Sequence, residues 1–320
     1  MEAVNTVILA GDKKGSILIE NDNKSFLLVN NVPSIIYTLK AFLGAKHVGN
    51  IVVVGPADRL RKIINDYNLP LDSRIKVIEQ RETLIENGKA GCVAALESVP
   101  DSTSFESLYG SRYTDIPVIV APCDIPLITP SEIDEFIEKA DMEENDFYLG
   151  LCREDVLDYY YPGSKKPGIR MNYLHMKEGN FRINNLHILK PLKIERHRYI
   201  EKMYELRYQT HFLNMFKLLI EVLFNGRGVL RAFYYALKLQ LVRIYFDKGS
   251  MKLYWRIKNS IEINKVIKSI GTILGTRISY ISTSYGGAAL DVDHEADREI
   301  VEEMYDKWME HQKNILSRKI

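Results

Sequence analysis

Val7-Ile8-Leu9-Ala10-Gly11-Asp12-Lys13-Lys14-Gly15-Ser16 decides how the rest of the chain is read. Val7, Ile8 and Leu9 are apolar at consecutive positions, so the strand they form is covered on both faces, the habit of a strand in a parallel α/β sheet. Gly11 and Gly15 bracket two lysines in the loop that follows. Glycine lets backbone amides approach a phosphate, and lysine supplies charge. The loop has neither the GxxxxGK[ST] spacing of a Walker loop nor the GxGxxG of a dinucleotide fingerprint, so alone it is weak evidence for phosphate binding over a plain turn.

Outward from this strand the pattern repeats. Residues 6–10, 50–55, 74–80, 117–123 and 147–152 are apolar on both faces, and residues 34–45, 57–67, 92–99 and 130–141 carry helical periodicity between them. Strands alternating with helices predict an α/β chain with a doubly wound, mostly parallel, Rossmann-like sheet and right-handed crossovers. Residues 1–194 form the first part of this core. Within it, residues 151–194 are a loop-rich segment dense in Tyr, Asn, Lys and Arg. Residues 195–260 are a basic helical insertion, and 261–320 return to the core through a strand-like Ala289-Leu290-Asp291-Val292-Asp293 and a long polar helix from Glu295.

The composition is that of a globular chain: 46% hydrophobic, 27% charged, net charge +1 over 320 residues. Near-neutrality argues against a nucleic-acid footprint over the whole molecule. It conceals a local excess, because residues 190–258 hold 15 Lys or Arg against 5 Asp or Glu. In 212–246, apolar residues at helical spacing with Arg231, Lys238 and Arg243 between them predict a hairpin suited to peripheral contact with a membrane surface; a lid, a homodimer contact or plain helical packing are equal alternatives. Three scattered cysteines, no basic-apolar leader and no long apolar run predict a cytoplasmic protein, peripheral at most to the inner membrane surface.

Ligands of such sheets sit at the carboxyl ends of the strands. After the fourth strand comes Asp124 in Asp124-Ile125-Pro126-Leu127-Ile128-Thr129, a position suited to a hard divalent cation, although Thr129 or Ser131 capping the next helix explains much of the turn. Period-two alternation puts Asp291 and Asp293 on one face, where two carboxylates need a cation or donors between them. Capping of the final helix by Asp293 explains that stretch equally well.

Taken together, Leu9-Ala10-Gly11, Lys24-Ser25-Phe26-Leu27-Leu28-Val29, Asp124-Ile125-Pro126-Leu127-Ile128-Thr129 and Asp291-Val292-Asp293 resemble, in order and spacing, the MobA-like nucleotidyltransferases, which include molybdenum-cofactor guanylyltransferases and sugar- or alcohol-phosphate cytidylyltransferases. The resemblance covers residues 4–152 and 278–305 and implies a GT-A-like nucleotidyltransferase fold. It implies transfer of a nucleoside monophosphate from an NTP, CTP or GTP foremost, to a phosphorylated small molecule with release of pyrophosphate. By the same resemblance Leu9, Ala10, Gly11, Asp12 and Gly15 cradle the triphosphate, with Lys24 neutralising its charge. Asp124 and Asp293, with Asp291, hold Mg²⁺. Asn87, Gly88 and Cys92 lie where relatives line the nucleobase pocket, though an ordinary helix start is nearly as good a reading. Relatives have GGxGxR in the first loop; Lys13 or Lys14 stands in for the missing arginine, as a point charge and not a fork.

For the acceptor, Lys166, Arg170, Arg182, Asn184 and Asn185 form a cationic, amide-rich cluster with Lys165 and Tyr173 beside them, a solvated loop being the alternative. Two other functions fit less of the chain: a GT-A-type glycosyltransferase, in which Asp291-Val292-Asp293 is displaced from its usual mid-domain place, and a non-catalytic membrane- or RNA-associated protein on a degenerate nucleotide fold.

Overall fold

The computed structural model describes residues 3–11, 18–19, 22–164, 166–200 and 229–319. Asp12, Lys13, Lys14 and Gly15 lie outside these residues, as do Lys165 and the first arm of the expected hairpin, 212–228; of Lys24 only the backbone is described.

Strand β1 (Val4–Leu9) lies inside the sheet. Two short ribbons follow, β2 (Leu18–Ile19) with β3 (Asp22–Asn23) and β4 (Leu28–Val29) with β5 (Val32–Pro33). The chain continues through α1 (Ser34–Gly44), β6 (Val48–Gly55), α2 (Ala57–Asp66), β7 (Ile75–Glu79), α3 (Leu84–Ala94), β8 (Val118–Pro122), α4 (Pro130–Glu138), β9 (Phe147–Arg153) and the short α5 (Glu154–Leu157). Strands β10 (Leu174–Met176) and β11 (Gly179–Leu189) form a hairpin. Helices α6 (Val229–Asp247), α7 (Met251–Lys258) and α8 (Ile263–Leu274), strand β12 (Ile278–Ser282) and helix α9 (Glu295–Lys319) complete the chain.

The sheet order is β12-β9-β11-β8-β1-β6-β7, with β10 beside β11. β1 pairs in parallel with β6 and β8, β6 with β7, and β9 with β12, whereas β11 runs antiparallel between β8 and β9. The mostly parallel, Rossmann-like α/β architecture is as expected.

Alternate residues of the central strands enter opposite cores, which is why these strands are apolar throughout. Ile8, Ile51 and Val53 pack against Leu39 and Phe42 of α1, Leu60 of α2 and Phe136 of α4. Val7, Val52 and Val54 pack against Cys92 and Val93 of α3 on the other face. Each fully buried Val or Ile contributes about 1.5–3 kcal/mol. α3 begins at Leu84, earlier than the apolar run suggests, because Thr83 and Glu86 form a reciprocal capping box. Asn87, Gly88 and Cys92 are therefore inside a helix.

The late strand is corrected. Residues 289–293 are not a strand: Gly287–Ala289 form a 3-10 turn and irregular backbone follows. The strand is β12, Ile278–Ser282, whose pairing with β9 runs from Ile278 opposite Phe147 to Ser282 opposite Leu151. Thus Asp291 and Asp293 do not owe their placement to strand alternation.

Candidate active site

Three segments meet where β1 ends. Ala10 N donates to Val54 O at 2.8 Å, continuing the β1–β6 ladder past the strand. A side chain on Gly11 would meet Asn87 Nδ2 at 3.0 Å and Gln80 Oε1 at 3.2 Å, so glycine is what lets the loop pass α3 and the end of β7. Asn87 is buried, and its Oδ1 accepts from Arg81 N at 2.5 Å, fixing the β7–α3 turn. A Cβ at Gly88 meets nothing within 4 Å, so α3 presents open space there. Cys92 belongs to the apolar core under β1, where burial pushes its thiol up to about 12.

Lys24 opens a one-turn 3-10 helix, Lys24–Phe26, whose next residue ties it to both strand ends. Ser25 Oγ lies 3.3 Å from Ala10 O and 2.9 Å from Cys123 Sγ. Cys123 O in turn accepts from Thr38 Oγ1 at 3.1 Å and Ser34 Oγ at 3.3 Å. The lysine-bearing turn, the glycine loop and the Asp124 turn are therefore held as one unit.

Asp124 is joined to the distant acidic stretch through the backbone: Val292 N donates to Asp124 O at 3.0 Å. That contact puts Asp291 and Asp293 on either side of a residue touching Asp124, although ALDVD is not a strand. Side chains hold the approach. Buried Glu132 of α4 accepts Thr283 Oγ1 at 2.8 Å and Ala288 N at 2.9 Å, and Glu135 accepts Ser284 N at 3.0 Å and Ser284 Oγ at 2.7 Å. Tyr160 donates its hydroxyl to Tyr285 O at 2.7 Å. Gly287 passes so close that a Cβ would lie 2.1 Å from Leu127 O. Burial, the dominant cause, raises the Glu132 carboxyl to about 7.

The expected acceptor residues divide. Arg182 donates from Nε to Ala289 O at 2.8 Å and from its guanidinium to Asp291 Oδ1 at 2.8 Å. Asn185 Nδ2 donates to Ala288 O at 2.9 Å. Asn184 is fully buried; its Oδ1 accepts Leu186 N at 3.0 Å where the β11–β9 register shifts, against Gly150, whose lack of a side chain makes room for it. All three thus bind the chain's own 288–291 segment or their own strand. Lys166 donates to Tyr159 O and sits over the Tyr159 ring at 3.9 Å, while Arg170 is exposed.

Glu132, Glu135 and the Gly286-Gly287 turn escaped the sequence reading. The available signal was a pair of acids one helical turn apart after Asp124 and a glycine pair shortly before Asp291. Among the described residues no group of three or more His, Cys, Asp or Glu forms a metal cluster. The Val292 N to Asp124 O contact brings the backbone of Asp293 near that of Asp124. Carboxylate oxygens are the donors that suit a hard divalent cation keeping most of its waters.

Residues 6–162 match the sequence model of the MobA-like NTP transferase domain. No curated protein matches the chain. Among solved structures it is similar to a hypothetical transferase from Thermus thermophilus, at 20% identity and a TM-score of 0.58, over 92% of this chain and 99% of that one. This likeness is one of fold. A 4-diphosphocytidyl-2C-methyl-D-erythritol synthase from Anaerococcus prevotii aligns at 10% identity, TM-score 0.46, over 95% and 96% of the two chains. A CMP:2-keto-3-deoxy-manno-octonic acid synthetase complexed with CTP aligns at 11% identity, TM-score 0.45, over 96% and 99%.

Proposed function

Residues 6–162 being a MobA-like NTP transferase domain, a nucleotidyltransferase unit, we propose that the chain transfers a nucleoside monophosphate from an NTP to a phosphorylated sugar, alcohol or cofactor precursor, releasing pyrophosphate. The observation that carries this is the Val292 N to Asp124 O hydrogen bond, which brings an acidic stretch from the end of the chain to the carboxyl end of β8, beside the Gly11 loop.

An oxygen of the acceptor phosphate attacks the α-phosphorus of the NTP, and the bond to the β-phosphate bridging oxygen breaks with pyrophosphate as leaving group. A phosphate nucleophile is already ionised near neutral pH, so positioning and charge stabilisation matter more than a general base. Gly11 gives the triphosphate close access to backbone amides, Lys24 with Lys13 or Lys14 offsets its charge, and the base of the CTP or GTP lies against Gly88. Asp124 and Asp293 would hold Mg²⁺, which supplies charge neutralisation at the reacting phosphates. Asp291, engaged by Arg182, keeps the segment in place. The acceptor enters from the side of Arg170 and Lys166.

A screen of the four NTPs against phosphorylated sugars and alcohols, read by pyrophosphate, tests this. Turnover with one NTP and one acceptor class is the expected result. Release of pyrophosphate from none of the pairs, by folded protein with Mg²⁺ present, contradicts it.

A further inference from the structure

Helix α6 carries apolar residues on two faces. One face is buried: Tyr235 and Val242, with Leu239, pack against Met176 and Phe181 of the β10–β11 hairpin. The other is not. Leu230, Tyr234, Leu237, Leu241 and Ile244 recur at three- and four-residue spacing and so form one stripe. Leu230 is 69% exposed, Tyr234 and Ile244 are exposed, and among the described residues none of the five belongs to a buried cluster. In α7, which packs beside α6, Met251, Leu253 and Trp255 are exposed as well, Trp255 at 50%.

Charge on these helices is one-sided. Residues 229–258 hold seven Lys or Arg (Arg231, Lys238, Arg243, Lys248, Lys252, Arg256, Lys258) against one acid, Asp247. Lys252 and Arg256 are exposed between Leu253 and the Met251–Trp255 edge of α7. Long basic side chains can keep their charge in water while their stems lie along apolar surface. No described helix is long and apolar enough to cross a membrane, and an apolar stripe with a basic flank has the pattern of a helix suited to the plane of a bilayer surface.

We propose that α6 and α7 form a docking surface for an anionic lipid bilayer, with Leu230, Tyr234, Ile244, Leu253 and Trp255 entering the headgroup layer and Lys248, Lys252 and Arg256 meeting the anionic headgroups. Charge complementarity selects this occupant. A second copy of the same face would set the exposed Lys248, Lys252 and Arg256 against the same three cations, which electrostatics opposes.

The chain has two tryptophans, and Trp308 is fully buried, so a change in emission on binding belongs to Trp255. Full-length protein is titrated with phosphatidylcholine vesicles with and without phosphatidylglycerol. Co-sedimentation and a blue shift are expected with the anionic vesicles alone, both weakened by salt. Lys252→Glu with Arg256→Glu lowers partitioning on the order of tenfold or more. Leu230→Asp with Leu253→Asp, which leaves Trp255 as reporter, lowers it by a similar factor. Both pairs are exposed, so circular dichroism and Tm stay close to the parent's, and Leu316→Asp on α9 leaves partitioning unchanged. Failure to bind anionic vesicles overturns the proposal. So does a blue shift that grows with protein concentration alone and accompanies dimer sedimentation, or binding to an RNA homopolymer tighter than to the vesicles. The measurement uses neither nucleotide nor acceptor, so its outcome is separate from the nucleotidyl-transfer reaction.

Discussion

Glu132 is where burial and charge conflict most directly. Its carboxyl has no exposed surface, and although Thr283 and Ala288 donate to both oxygens, burial outweighs them and lifts it from the usual 4.5 to about 7. The folded chain therefore holds this proton more tightly than the unfolded chain. The stability linked to it is complete below about pH 4.5, declines as pH rises, and levels off above about 7. The decline is on the order of 3 kcal/mol at most. Glu106, held low at about 2 chiefly by its hydrogen bond from Lys89, titrates below this window. Glu132→Gln, which cannot ionise, should be less stable than the parent at about pH 5 and close the gap by about pH 8. Thermal melts across that range check it, and parallel curves would contradict it. Gly88 offers a second test, because its open surroundings allow a methyl group in the free protein. Gly88→Ala should stabilise the ligand-free chain by about 0.5–1 kcal/mol while raising the KM for NTP. A rise in Tm with KM unchanged would remove Gly88 from the base pocket.

At the scale of elements, the segment 283–293 does what a strand would have done, without being one. Its course is set by Glu132 and Glu135 from α4, Tyr160, Asn185 and Arg182, and by the passage of Gly287 over Leu127 O. Gly287→Ala should cost about 1–3 kcal/mol or more by overpacking and, through displacement of Val292, depress kcat. Urea unfolding with turnover measured on the folded fraction checks it; full activity would show that the segment's position does not matter. This element was also the least legible in the sequence. Asp291-Val292-Asp293 alternates like a strand, but its place comes from contacts more than 100 residues away in sequence, which no local pattern carries. Ile278–Ser282 does not stand out as a strand in the sequence, because its serines and tyrosine blur the apolar run. By contrast, Ile51–Val54 was plain, since a strand buried on both faces needs apolar residues at every position. α3 was half legible: Cys92 and Val93 marked its core-facing end, while the glycines at 88 and 91 hid its start until the Thr83–Glu86 cap fixed it.

Over the whole molecule, one sheet brings together residues that the chain keeps far apart. Gly11 follows β1, Asn87 rides on α3, Asp124 follows β8, and Asp293 arrives only after the basic helices and β12. The Gly11 and Asp124 motifs were legible because each follows a recognisable strand, β1 and β8, whereas Asp291-Val292-Asp293 stands beside no strand. The use of Arg182, Asn184 and Asn185 to bind the chain itself was not legible, because an amide or guanidinium in a sequence does not say whether its partner is a ligand or a carbonyl. The central claim is that Asp124 and Asp293, joined through Val292, act together on the NTP. The measurement that tests it most directly is Mg²⁺-dependent pyrophosphate release by the parent, by Asp124→Asn and by Asp293→Asn, with the best NTP and acceptor pair and with Tm recorded for each. Both variants should fold and each should lose on the order of 10²-fold or more in kcat. Turnover at the parent's rate in either folded variant would contradict the account.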